Sequence, residues 1–274
     1  MLLAYAVYEA AFHAPLEKTM FEAQRIFYYH VPAAATSFGL FIMNCIASII
    51  YLWKRSPRAD ALAVAGAEVG VVFCGVVLIT GPIWAKYAWG TYWVWDARLT
   101  TTLLLWLLYM SYLILRKSSD AGSTSVLAAA LAIIASLDIP IVYMSNRWFR
   151  TNHPQPVTLD DPRMKFALMT TMVAFLAFAA LIVWFRYYVE RIAQKIAVTH
   201  VQKMGVLAAF VLPSVSFFQL SSEVELHRQR VFMYSGYVVA WVIYIGYLLL
   251  LLAKLSNLKR EAAELATEGQ LSDS

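Results

Sequence analysis

Residues 84–100 read W-A-K-Y-A-W-G-T-Y-W-V-W-D-A-R-L-T, crowding Trp84, Trp89, Trp93 and Trp95, with Tyr87 and Tyr92, into one short stretch between two long apolar runs. An indole offers a wide apolar face and a single N–H donor, which suits the water–lipid boundary or a flat, partly polar ligand. The flanking runs decide the fold. The chain is 61% hydrophobic and 14% charged, with mean hydropathy +0.62, which excludes an ordinary soluble domain. The expected fold class is all-α: a polytopic helical bundle in a membrane.

Working back from the Trp-rich stretch, a span is expected from Ala61 to about Ile83, carrying Glu68 and ended by Gly81-Pro82. Before it, Ile26 to Trp53 forms another, opening on His30-Val31-Pro32 and stopping at Lys54, Arg55 and Arg58. Residues 1–14 are apolar but too short to cross about 30 Å of hydrocarbon, and read as part of a spanning helix. Working forward, spans are expected from Leu99 to Leu115, from Ser125 to about Met144 with Asp138-Ile139-Pro140 near its end, and from about Phe166 to Tyr188. The apolar run 206–218 is marginal for a crossing, whereas Val231 to Ala253 is a clear one with a charged tail. That makes five full spans plus a partial N-terminal one up to about residue 190, and one or two further C-terminal spans.

Each crossing flips the side. His30, the Trp-rich stretch and the His153 segment therefore share one face, together with Arg25, Lys86, Arg98, Arg147, Arg150, Arg163 and Lys165. The opposite face carries Lys54, Arg55, Arg58, Arg116, Lys117, Arg186, Arg191, Lys195 and Lys203. Lys and Arg favour the cytoplasm, which puts both histidines and the indoles outside. A net charge of +5 reads as this loop bias and not as nucleic-acid binding. Cys45 and Cys74 lie inside apolar runs, so no disulfide framework is expected; no C-x-x-C-H and no P-loop occur.

The candidate chemistry lies on the outer face. His30 and His153 are each followed closely by proline (Pro32, Pro154). They are either interfacial polar residues or a pair of neutral imidazoles able to ligate haem iron axially, with indoles as apolar walls. The Trp-rich stretch is either an aromatic belt or the wall of a flat pocket, and Gly90 allows a tight turn or close backbone approach. Asp96 suits the N-cap of the span that follows, a role supporting a histidine, or both. Arg98, Arg147 and Arg150 are either solvated loop cations or partners for carboxylates such as haem propionates.

At this point W-G-T-Y-W-V-W-D-A-R-L-T (89–100) closely resembles the tryptophan-rich "WWD" signature of haem-handling proteins of cytochrome c biogenesis. Q-R-I-F-Y-Y-H-V-P-A-A (24–34) and I-P-I-V-Y-M-S-N-R-W-F-R-T-N-H-P-Q-P (139–156) resemble its two histidine motifs, and spacing and size point to the CcmC family. The resemblance covers roughly residues 1–190. It implies a bacterial inner-membrane protein that holds non-covalent haem b at the periplasmic face, with His30 and His153 as iron ligands. Trp89, Gly90, Trp93, Trp95 and Asp96 would form the platform. It also implies delivery or attachment of haem to the periplasmic haem chaperone CcmE, released by the CcmAB transporter, a role unlike that of a classical enzyme. Residues 231–274 resemble CcmD, a one-helix partner, joined through a linker at 191–230. The competing expectation is a permease or scaffold subunit whose Trp-rich stretch only anchors it at the interface.

Overall fold

The computed structural model describes residues 1–117, 123–153, 159, 161–199 and 241–260. Its helices in chain order are α1 (Leu2–Tyr8, prolonged by a π turn Glu9–His13), α2 (Phe27–Lys54, entered through a 3-10 turn Glu22–Ile26) and α3 (Pro57–Trp89). They continue with α4 (Ala97–Lys117), α5 (Ser123–Ser136), α6 (Asp138–Trp148), α7 (Pro162–Thr199) and α8 (Trp241–Arg260). Among the described residues there is no β-strand, and six helical segments are long and apolar enough to cross a membrane. Helix is the solution expected in lipid, where every backbone N–H and C=O must be satisfied within its own segment.

α2 and α3 form the closest pair. They meet at a tight corner: Arg55 is left-handed (φ 50°), Ser56 caps the next helix and Pro57 fills its first position. Close approach is possible because of Gly66 and Gly70, one turn apart on α3. A Cβ on Gly70 would stand 2.6 Å from the Phe41 ring, and one on Gly66 would stand 3.0 Å from the Leu40 carbonyl oxygen. Small residues at this spacing let membrane helices pack backbone to backbone. The Asn44 amide adds a hydrogen bond across the pair, donating to the Ala63 carbonyl at 2.7 Å.

Two apolar clusters surround that pair. One joins α2 and α3 to α7 and α8, with Phe73, Phe175, Phe178 and Tyr244 in edge-on or tilted ring contacts. The other joins Phe41 to α4 and α5, where Phe41 stacks on Tyr109 at 3.8 Å and 10°.

Several boundaries differ from the sequence expectation for identifiable reasons. α3 does not stop at Gly81-Pro82 but runs on to Trp89, carrying Trp84 and Trp89 as helical residues. Proline removes one backbone donor, which a packed membrane helix tolerates. The helix stops instead at Gly90 (φ +75°), whose N–H closes on the Lys86 carbonyl at 3.1 Å. The fourth span is two helices, α5 and α6, broken at Leu137. Pro140 cannot donate to residue 136 and its ring crowds that carbonyl, which places the break there. Asp138, beside this break, is only 6% exposed.

Arg186 counts in the sequence as a cytoplasmic loop cation, but is 2% exposed and paired with Glu68 and Glu190. The Tyr247 hydroxyl of α8 donates to the same Glu68 carboxylate at 3.1 Å. The expected crossing at 206–218, the linker at 200–230 and the first part of the last span (231–240) lie outside the described residues.

Candidate functional site

The sequence places its candidate residues at the start of α2, the end of α3, the start of α4 and the segment after α6, and side-chain hydrogen bonds tie these ends in two sets, α2 to α3 and the start of α4 to α6 and the segment after it. His30, one turn into α2, has its Nδ1 2.9 Å from the Thr80 hydroxyl on α3. Thr80 is buried, and its hydroxyl donates in turn to the Val76 carbonyl one turn back at 2.8 Å. Gly81 follows it, and a Cβ there would come within 3.3 Å of His30 Cε1.

Asp96 does two things at once. One carboxylate oxygen accepts the Leu99 N–H at 2.9 Å, capping α4. The other accepts from the Thr151 hydroxyl at 2.6 Å and from the Asn152 N–H at 3.2 Å. Thr151 then accepts the His153 N–H at 3.0 Å. The Trp-rich stretch and the histidine segment after α6 are thus held together through one carboxylate. Arg98, the second residue of α4, donates to the Asn146 side chain on α6, a second tie near the first. His153 and Arg98 both lie within electrostatic reach of His30. Pro154, expected to restrain His153, lies outside the described residues.

The indoles fall into two pairs. Trp84 and Trp89, on the last turns of α3, meet edge-to-face at 5.4 Å, and Trp93 and Trp95, in the connection to α4, meet edge-to-face at 5.6 Å. Trp95 is 77% exposed, an unusual cost for so large an apolar ring in water. Gly90 has open space where a side chain would be, so its role is the left-handed turn itself. Lys86 braces that turn, donating to the Gly90 carbonyl at 2.9 Å while lying over the Tyr92 ring. Arg147 and Arg150 are exposed at and just beyond the end of α6 and make no ion pair among the described residues.

A buried polar atom of the Trp-rich stretch lacks a partner among the described residues. The Trp93 Nε1–H is shielded and meets no acceptor among the described residues. Such an orphan donor costs about 1–3 kcal/mol, and a polar edge of a bound molecule would recover it. The residues present therefore fit a flat macrocycle: nitrogen donors from two elements, wide apolar rings, an unpaired N–H and arginines on the rim. Sequence reading found the histidines, indoles, Asp96 and arginines, but not Asn146, Thr151 and Asn152, nor Thr80 and Gly81, which lie inside the apolar run of α3. Only the contact with His30, fifty residues earlier, gives them meaning.

Comparison with known proteins gives the family. Residues 1–207 match the family CcmC, heme exporter protein C. Heme exporter protein C of Haemophilus influenzae is 32% identical over 197 residues, 69% of this chain and 80% of that protein. That of Escherichia coli is 35% identical over 171 residues, 61% of this chain and 70% of that protein. That of Bradyrhizobium diazoefficiens is 38% identical over 160 residues, 58% of this chain and 60% of that protein. A match across most of the spans, including both histidine segments and the tryptophan-rich stretch between them, means that this chain is a member of the CcmC (heme exporter protein C) family.

Proposed function

We propose that the chain binds haem b non-covalently at the end of the bundle that carries His30, His153 and the Trp-rich stretch. This end faces the periplasm from a bacterial inner membrane, and the haem is handed to a periplasmic chaperone of the CcmE kind. The observation that carries the reading is Asp96, one side chain that fastens the indole-bearing connection to the segment ending in His153. Haem, when bound, supplies iron with two axial positions and a vinyl edge open to bond formation. The imidazoles of His30 and His153 would take the axial positions. Trp89, Trp93 and Trp95 would cover the porphyrin faces and exclude water, and the Trp93 N–H would find an acceptor. Arg147 and Arg150 have the guanidinium forks suited to two propionates, and Arg98 keeps donors beyond the one it gives Asn146.

Transfer would need no catalytic group from this chain, only a shelf whose outer edge stays accessible. The exposure of Trp95 and of the Gly90 turn supplies that edge. A chaperone docking there would cover Trp95 and approach the haem rim without displacing α2 or α3. Release of the loaded chaperone by a CcmAB-type transporter, and assistance by the CcmD-like C-terminal helix, complete the proposed assembly.

The test is absorption spectroscopy of the detergent-solubilised full chain titrated with haemin. Wild type is expected to give a low-spin bis-imidazole Soret band, and His30→Ala and His153→Ala each weaken it. A spectrum unchanged in the double variant overturns the ligand assignment. A wild-type protein that takes up no haemin favours an interfacial anchor instead.

A further inference from the structure

Thr80 is buried in the middle of an apolar helix, has no part in the arrangement proposed above, and still sits against one of its two histidines. A hydroxyl has a single hydrogen to give. Here that hydrogen has a taker: the Val76 carbonyl lies 2.8 Å away on the same helix, the usual back-bonding partner of a helical threonine. The lone pairs of Oγ1 are then what Thr80 shows to His30, 2.9 Å away, so the Nδ1 of His30 must carry the proton and donate. A neutral imidazole protonated at Nδ1 has its lone pair on Nε2. That is the tautomer a metal needs, and the donated hydrogen bond also makes the ring a stronger electron donor.

Gly81 adds a second constraint from the same turn. A side chain there would crowd His30 Cε1, the carbon between the two nitrogens, at 3.3 Å, so glycine leaves the ring the room it uses beside the hydroxyl.

We propose that Thr80 is the positioning residue for His30, fixing its tautomer and ring plane through an Nδ1–H to Oγ1 hydrogen bond, with Gly81 leaving the space that the ring occupies. The proposal rests on His30 being an iron ligand. Donation from Nδ1 gives the imidazole partial imidazolate character, which favours ferric iron. Losing the hydrogen bond therefore moves the haem midpoint potential in the positive direction as well as weakening binding.

The experiment compares wild type, Thr80→Val, Thr80→Ser, Gly81→Ala and His30→Ala as full-length solubilised protein, using haemin as probe and reading both dissociation constant and midpoint potential. Thr80→Val keeps the branched shape and loses the acceptor. It is expected to bind haemin roughly ten- to a hundredfold more weakly, the usual range for losing a partner of a metal-bound histidine, with a more positive potential. Thr80→Ser restores both. A residue that matters only for packing would not shift the potential and would not be rescued by serine. Should Thr80→Val fail to accumulate as folded protein, Gly81→Ala carries the test. It keeps the hydroxyl but pushes the ring off it, and is expected to shift the potential the same way. Wild-type affinity and potential in the folded Thr80 and Gly81 variants, with the low-spin band weakened in His30→Ala, overturn the role of Thr80 and leave the ligand reading standing. A low-spin band undiminished in His30→Ala overturns both.

Discussion

Asp96 shows how much one side chain can carry at this end of the bundle. Its two oxygens serve separate elements, the first turn of α4 and the segment leading to His153. Asp96→Asn separates those jobs, because an amide keeps one acceptor oxygen but presents donors where Thr151 and Asn152 also donate. Asn is itself a good cap, so the helix survives while the tie to His153 is lost. Haemin affinity is expected to fall by roughly ten- to a hundredfold while thermal stability changes little, as read by haemin titration alongside a melting curve. Asp96→Ala loses the cap as well, and costs about 1 kcal/mol more in stability. Sequence reading offered both roles for Asp96 from its place before an apolar run. It could not name Thr151 and Asn152, because their meeting depends on how α4 and α6 pack.

At the scale of elements, the buried ions on α3 and α7 set the next prediction. Glu68 sits in an apolar run with no evident use, and Arg186 reads as the start of a basic tail. Packed together they make an ion pair extended by Glu190, with α8 joining through Tyr247. Arg186→Met leaves two carboxylates without their cation in a low-dielectric setting, and is expected to destabilise the solubilised protein by about 3–5 kcal/mol, read from its thermal melt. Tyr247→Phe removes one hydrogen bond, worth about 1 kcal/mol, and its effect falls on α8 alone. Hydrogen exchange should show loss of protection confined to 241–260. If exchange rises equally in α3 and α7, α8 is not a separable element. The helices themselves were legible as apolar runs of membrane length. Their ends were not: Gly81-Pro82 reads as a stop, yet lipid rewards continuing the helix past it, and the fourth span reads as continuous, yet Pro140 breaks it at Leu137.

For the whole molecule, the positive-inside count needs restating, since Arg186 is buried with acids and Arg116 is paired with Asp60 at 2.9 Å. Lys54, Arg55 and Arg58 remain exposed at the α2–α3 corner, and these are the charges that bear on orientation. In a background lacking Cys45 and Cys74, Trp95→Cys is expected to react with a membrane-impermeant maleimide added to intact cells, and Trp53→Cys only after lysis. Both positions are well exposed, so silence reflects sidedness and not burial. The reverse pattern would place the proposed haem shelf in the cytoplasm. The three motifs were readable because their chemistry is dense and local, whereas the contact that sets His30 is spread over α2 and α3 and hides in an apolar run.

The glycines that bring α2 against α3 have a consequence for the far end. With Gly66 and Gly70 pressed on Leu40 and Phe41, those two rods lie in close contact, so His30 rides on a tightly packed helix pair. His153 instead follows a segment tied back to the Asp96 carboxylate through Thr151 and Asn152. In the site proposed above, one iron ligand would therefore stand on a packed helix pair and the other on a loop.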